Sequence, residues 1–274
     1  MIDPMTRLAL VRPPGPRLAD GLTTHIERQE VDVVVARSQW EDYTRALAAH
    51  GWDLVHVPGA DDCPDAVFIE DTVVMFRDTA VVTRPGADER KPETAAVEQI
   101  VASLGCTVDR IVEPGTLDGG DVLKVGDTVY VGLGGRTNAE GIRQFTSILT
   151  RLGAMVVPVP ITKVLHLKSA VTALPDGTII GYPPHADDQE IFERFLAVPE
   201  ESGSHVVILD DSTLLISTGC PESAAIFESL GYDVVKVDIG EYEKLEGCVT
   251  CLSVRVRELS GSTPTLAGLS RRRT

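Results

Sequence analysis

The 274-residue sequence has no apolar run approaching the roughly 18 residues that a membrane-spanning helix needs. Its N-terminus also lacks the basic-then-apolar pattern of an export signal. Positive charge is scarce: 25 Lys and Arg stand against 41 Asp and Glu, a formal net charge of −16. A phosphate backbone would be repelled, which excludes nucleic acid as a natural partner, whereas a small cation would be attracted. The same acidity also serves plain solubility. Cysteine is sparse and odd in number: Cys63, Cys106, Cys220, Cys248 and Cys251. With no export signal, free thiols in a reducing cytoplasm are expected. What is present is apolar material, 43% of the chain, enough for a large core in one large domain or two small ones.

That apolar material is arranged in a repeat. Four segments share one plan: a short apolar run, a tight turn, a threonine, a second apolar run, then Gly or Pro. They are 73–76 with 79–83, 122–125 with 128–132, 171–174 with 178–181, and 206–209 with 213–217. The turns Arg77-Asp78, Gly126-Asp127, Pro175-Asp176-Gly177 and Asp210-Asp211-Ser212 carry hairpin chemistry. Helix-like stretches with apolar residues three and four apart follow, most clearly at 93–104, 139–152 and 221–230. Each of these ends in Leu-Gly, where glycine suits the left-handed position after a helix, and β-runs follow at 108–112, 156–159 and 234–237. A fifth unit is split between the termini: 251–256 and 8–11 give its hairpin, 40–50 its helix, Gly51 the stop and 54–57 the last strand. A last strand that partners the first closes a ring. The reading is an α/β fold of five ββαβ units around a pseudo-fivefold axis, a five-bladed αβ-propeller in one domain spanning 1–274. About 6–259 are expected to be ordered, with tails at 1–5 and 260–274 disordered. An ordinary open α/β sheet is the alternative.

In a hairpin, the start of the first strand and the end of the second lie at the same end. Asp65, Glu70 and Asp71 enter the first hairpin and Arg90 follows it; Asp118 and Asp121 enter the second and Arg136 follows; His166 enters the third; Cys251 starts the C-terminal run. Around a ring these residues share one mouth. A thiolate is a strong nucleophile, an imidazole relays protons, and Asp118 can hold the imidazole in one tautomer. The additional carboxylates accept hydrogen bonds only, which suits a planar guanidinium. The two arginines then suit a carboxylate at the other end of the ligand, so an arginine-like molecule satisfies both halves. Plainer readings stand beside this one. The carboxylates can be turn formers, His166 a satisfied core residue, and the arginines helix caps or partners of Glu93 and Glu140. Cys248 and Cys251 form a C-x-x-C, yet no second cluster offers further zinc ligands. Their segment looks strand-like, which would turn the two thiols to opposite faces.

Ordered segments along nearly the whole chain carry a family resemblance: Asp20-Gly21-Leu22-Thr23, residues 64–71, Thr83-Arg84-Pro85-Gly86, residues 116–122, Arg136-Thr137-Asn138, residues 165–169, and Thr250-Cys251-Leu252-Ser253. In these the chain resembles the dimethylarginine dimethylaminohydrolase family of the guanidine-modifying pentein superfamily. The resemblance implies hydrolysis of Nω-methylated arginine to citrulline and an alkylamine through a thiouronium on Cys251, with His166 as general acid and base and Asp118 supporting it. It implies that Asp65, Glu70 and Asp71 bind the substrate nitrogens and that Arg90 and Arg136 bind its carboxylate. Phe68 lines the substrate site, Leu22 sits on a lid, and backbone near Leu245 touches the amine. Some bacterial relatives carry Glu where this chain has Asp118, which changes reach by one methylene. No metal or organic cofactor is implied; the partner is a small cationic amino acid, and a homodimer is compatible. The rivals are an arginine deiminase releasing ammonia, an agmatine deiminase, a non-catalytic pentein resembling the ribosome anti-association factor, and a zinc or redox protein built on Cys248 and Cys251.

Overall fold

All four hairpins of the repeat form, and each is extended on one side by a parallel strand. The computed structural model describes residues 7–257, so both expected tails lie outside the described residues. The chain opens with β1 (Arg7–Val11), α1 (Val33–Ala49) and β2 (Trp52–His56). Next come β3 (Val73–Phe76), β4 (Thr79–Val82), α2 (Thr94–Ser103) and β5 (Thr107–Arg110). The third group is β6 (Val122–Val125), β7 (Thr128–Leu133), α3 (Ala139–Arg151) and β8 (Met155–Pro160). The short helix α4 (Leu167–Ala170) leads into β9 (Val171–Ala173), β10 (Ile179–Gly181) and β11 (Phe195–Ala197). Then follow β12 (Val207–Ile208), β13 (Thr213–Ser217), α5 (Pro221–Ser229), β14 (Asp233–Val237), the single turn α6 (Gly240–Glu243) and β15 (Val254–Val256).

Five three-stranded sheets result, ordered β15-β1-β2, β3-β4-β5, β6-β7-β8, β9-β10-β11 and β12-β13-β14. Within each, the hairpin pair is antiparallel and the third strand parallel, which requires a crossover connection. The ring is closed by the termini, with Leu8 opposite Val256 and Leu10 opposite Val254. The four long crossovers are helices, and glycine stops each: Gly51, Gly105, Gly153 and Gly231 take φ of +79°, +84°, +85° and +94°. Among the described residues no helix is long and apolar enough to cross a membrane.

Two expectations are corrected. The fourth unit has no crossover helix: residues 182–194 run in turns and bends. Pro183 and Pro184 disfavour helical backbone at the residues that precede them, Tyr182 and Pro183. Apolar burial is supplied instead by Phe192, which packs edge-on to Tyr130 and stacks near Phe195. The last strand begins at Val254, and Cys251 lies in the turn before it.

The first strand of every blade faces one central channel of about 490 Å³, with Met75, Leu123, Ala173, Ile208 and Val254 among its lining residues. The apolar core is divided among five clusters between neighbouring blades and helices. Its largest fully buried side chains include Tyr43, Phe145, Phe227 and Tyr242. At one end of the ring, a short turn precedes each inner strand: Ile69–Thr72 before β3, Gly119–Asp121 before β6, α4 before β9, and the turn containing Cys251 before β15.

Candidate active site

These turns put the chemical groups together. Gly119 and Gly120 let two of them touch: a Cβ on Gly119 would stand 2.0 Å from the Glu70 carbonyl oxygen, and one on Gly120 would stand 2.7 Å from both Asp71 Oδ1 and His166 Nδ1. Only glycine permits that approach. The Gly120 amide donates to Asp71 Oδ1 at 2.7 Å.

His166 is buried directly before α4. Its Nε2 lies 3.0 Å from Asp118 Oδ2 and 3.9 Å from Asp71 Oδ1. Asp118 Oδ1 accepts the Gly86 amide at 2.8 Å, which fixes the carboxylate facing the ring. Burial alone would lower the His166 pKa, but Asp71, the Asp118 hydrogen bond and Asp121 outweigh it and raise it to about 9. Asp71 moves the other way: burial disfavours its charge, but His166, Arg90 and the Gly120 amide hold its carboxyl well below the usual range. Behind them, Asp121 accepts from Thr137 Oγ1 at 2.6 Å and from the Leu167 amide at 2.9 Å, anchoring the turn that carries His166. Burial lifts its pKa to about 6.

Cys251 does not sit on a strand. Its amide donates to the Cys248 carbonyl at 3.1 Å, so the C-x-x-C closes into a turn and brings Sγ of Cys248 to 3.3 Å from Sγ of Cys251. This overturns the expectation that the two thiols face apart: strand alternation does not apply across a turn. The Cys251 thiol is pushed well up, first by the hydrogen bond with Cys248, then by burial and by the charges of Glu70 and Asp71. The two shifts therefore favour the protonated forms of both the imidazole and the Cys251 thiol, which share one pocket.

Cys251 and His166 line one pocket with Asp65, Phe68, Asp71, Arg90, Arg136, Leu22, Leu165, Leu245, Glu246 and Gly247. Asp65 accepts the Leu22 amide at 3.2 Å, and burial raises its pKa against the pull of Arg90 and Arg136. Arg90, expected to hold a ligand carboxylate, is already engaged: Nη1 is 2.5 Å from Asp71 Oδ2, Nη2 2.8 Å from Glu93 Oε2, and Nη2 also donates to the carbonyls of Asp65 and Phe68. Arg136 is different, since its Nη1 is buried and has no protein hydrogen-bond partner. Glu70, expected to bind substrate nitrogens, turns away from the pocket. It accepts from Thr250 Oγ1 at 2.8 Å, pairs with Lys168 at 2.6 Å, and lines the central channel instead. Its neighbour Asp71, in the same Ile69–Thr72 turn, faces the pocket, so adjacent acids serve different cavities. Leu165, Glu246 and Gly247 were not singled out from sequence. Glu246, at φ +60°, accepts the amides of Thr24, His25 and Ile26 and the Thr24 hydroxyl, clasping the segment after Leu22.

The pocket encloses only about 20 Å³, whereas the channel behind it is far larger. The larger cavity contains neither the nucleophile nor the imidazole, so the chemistry belongs to the smaller one. Ligand atoms of Asp71, Asp118 and His166 lie within 4.8 Å of one another, a spacing that could hold a metal ion. Those atoms are committed to the imidazole pair, the Arg90 pair and the Gly120 amide, which suits proton transfer better than ligation.

Five blades around one channel, with a thiol, an imidazole and carboxylates gathered at one end, define a guanidine-modifying pentein. The model of the arginine deiminase family matches residues 59–214, more than half of the chain. Over 254 residues the chain is 61% identical to N(G),N(G)-dimethylarginine dimethylaminohydrolase of Streptomyces coelicolor, an alignment covering 93% of this chain and 98% of that relative. The chain belongs to the dimethylarginine dimethylaminohydrolase family. Among solved structures, it matches that of a dimethylarginine dimethylaminohydrolase adduct with S-methyl-L-thiocitrulline at TM-score 0.86, with 34% identity over 92% of this chain and 100% of the other. It matches the Pseudomonas aeruginosa enzyme complexed with citrulline at TM-score 0.85, with 34% identity over 92% of this chain and 99% of the other.

Proposed function

We propose that the protein hydrolyses Nω-methylated arginine to citrulline and an alkylamine. The observation that carries this reading is the pocket lined together by Cys251, His166, the carboxylates of Asp65, Asp71 and Glu246, and the two arginines Arg90 and Arg136. A planar cation with a carboxylate tail complements that set. The guanidinium lies against Asp65 and Asp71, and the tail carboxylate meets Arg136, whose buried Nη1 needs an acceptor. His166, Arg90 and the Gly120 amide keep Asp71 ionised beneath the guanidinium. Leu22, Phe68 and Leu245 close the pocket over the ligand.

In this mechanism the Cys251 thiol loses its proton to solvent as the cation binds, the thiolate attacks the guanidinium carbon, and the already protonated His166 gives its proton to the departing alkylamine as the C–N bond breaks. The resulting S-alkylthiouronium is attacked by water, whose proton His166 takes, and cleavage of the C–S bond releases citrulline. Asp118 stabilises the imidazolium and fixes the ring. A cytoplasmic setting, in which the five free thiols stay reduced, belongs to the same proposal. Incubation with asymmetric dimethylarginine, monomethylarginine and arginine tests it, with citrulline and the released amine measured. Citrulline accompanied by dimethylamine or methylamine is expected. Citrulline from free arginine alone would assign the chain to the deiminase reaction, and none from any of the three would remove the catalytic reading.

A further inference from the structure

The central channel has a composition that the reaction at the pocket leaves unused. It is lined by residues of all five inner strands and holds about 490 Å³. Glu70 and Thr250 line it while their neighbours Asp71 and Cys251 line the pocket, so the two cavities stand back to back. Lys124, Lys168, Arg255 and Arg257 all face this channel. Against these four cations stands the single carboxylate of Glu70, 2.6 Å from Lys168 Nζ and 3.6 Å from Arg255 Nη2. At the mouth, Asp127 is taken by Arg77 at 3.0 Å, so it adds no compensation inside.

Each cation is held in place by the protein. Lys124 donates to the Met75 carbonyl, Arg255 Nη1 donates to Ser253 Oγ at 2.8 Å, and Arg257 Nη2 donates to the Ile208 carbonyl at 2.7 Å. Arg257 is also stacked on Trp52, 4.9 Å from the ring centroid. Concentrated like charge in an enclosed space is costly unless a counter-charge enters, and the walls of a cleft focus the field on whatever does. The strain is visible at Lys124. Burial and the charges of Lys168, Arg255 and Arg257, opposed only by Glu70, push its ammonium down to about 7. All this occurs in a chain whose net charge is −16, so the channel runs against the sign of the molecule.

We infer that the central channel is a binding site for a small oxyanion carrying two negative charges, separate from the substrate pocket and held by Lys124, Lys168 and Arg255. Charge-assisted hydrogen bonds from ammonium and guanidinium groups are the recognised means of holding such a group, and the cavity accommodates it with its hydration water.

Isothermal titration of the full chain with sulfate at pH 6.5, with ionic strength held constant by chloride, tests the site. Inorganic phosphate and succinate are run as parallel arms to separate a tetrahedral oxyanion from a dicarboxylate. One saturable site is expected for at least one of the three. Affinity should fall tenfold or more in both Lys124→Gln and Arg255→Gln and remain within twofold in Arg136→Gln. Thermal unfolding of each variant verifies that it is folded. Absence of saturable heat with all three ions on the wild-type protein would overturn the inference. So would binding that survives both channel substitutions and is lost in Arg136→Gln, because the anion would then sit in the substrate pocket. Neither result bears on methylarginine hydrolysis, which is read by citrulline release.

Discussion

At the scale of single residues the site is a problem of proton inventory. His166 is raised to about 9 by Asp71 and Asp118, so it carries its proton at neutral pH, as an acid that protonates a departing amine must. Cys251 is raised by Cys248, burial, Glu70 and Asp71, so it starts as a thiol. A bound cation beside Asp65 and Asp71 offsets those negative charges and favours the thiolate. Activity should therefore rise as the thiol ionises and fall as pH passes about 9, where His166 loses its proton. Alkylation of Cys251 by iodoacetamide should be slow at pH 7 in the free protein and faster with a bound, non-reacting guanidinium ligand. An identical pH profile with and without that ligand would remove the idea.

The two cysteines should separate cleanly. Cys251→Ser is expected to abolish turnover, and Cys248→Ala to retain most of it while moving the acidic limb of the pH–rate profile down, because the contact that most raises Cys251 is gone. The reverse pattern would exchange their roles. Sequence sufficed to bring Cys251, His166 and Asp118 together, since hairpin repeats determine which strand ends meet. It did not suffice for Glu70 or for the thiol contact. Which of two adjacent acids turns inward, and whether a C-x-x-C lies on a strand or a turn, depend on a one-residue difference in where the strand begins.

At the scale of elements, the lid segment and the fourth blade behave differently from the rest. The pocket's roughly 20 Å³ is far below the roughly 300–1,000 Å³ of ordinary ligand sites, so entry requires the segment carrying Leu22 to move. Glu246 holds that segment through three amides and a hydroxyl, and Asp65 holds Leu22 itself. A hydrogen bond to a charged group is worth about 1.5–3 kcal/mol. Glu246→Ala is therefore expected to raise KM about tenfold while kcat changes less, and to speed proteolysis within residues 22–31. Equal KM and unchanged proteolysis would show that the clasp does not control the lid. The resemblance implied a lid at Leu22, but the clasp was not legible in the sequence, because Glu246 reaches its partners from a left-handed position more than 200 residues away. The helices were legible where 3.6-residue periodicity ended in glycine. The fourth crossover was not, because Pro183-Pro184 and paired aromatics replace periodicity with side-chain anchoring.

At the scale of the whole molecule, function depends on closure. The channel and the pocket exist only if β15 from the end of the chain pairs with β1 from its beginning. Leu10 lies in the middle strand of that sheet with no exposed surface, packed in one cluster with Val254 and Val256. An open sheet would treat this strand as a terminal edge that frays without consequence for distant residues. A closed ring transmits its loss, because Cys251 stands three residues before the start of β15 and shares its pocket with His166 from another blade. Leu10→Ala removes buried methyl groups and leaves a cavity, at a cost of about 2–5 kcal/mol, a large share of the roughly 5–15 kcal/mol by which a domain is stable. In urea, the tryptophan fluorescence transition, which reports Trp40 and Trp52 of the terminal unit, and the loss of citrulline production should shift together to lower denaturant, with an unchanged slope. If activity instead persisted beyond the fluorescence change, the terminal sheet would be unfolding alone, and the pocket would have to be held together without the ring.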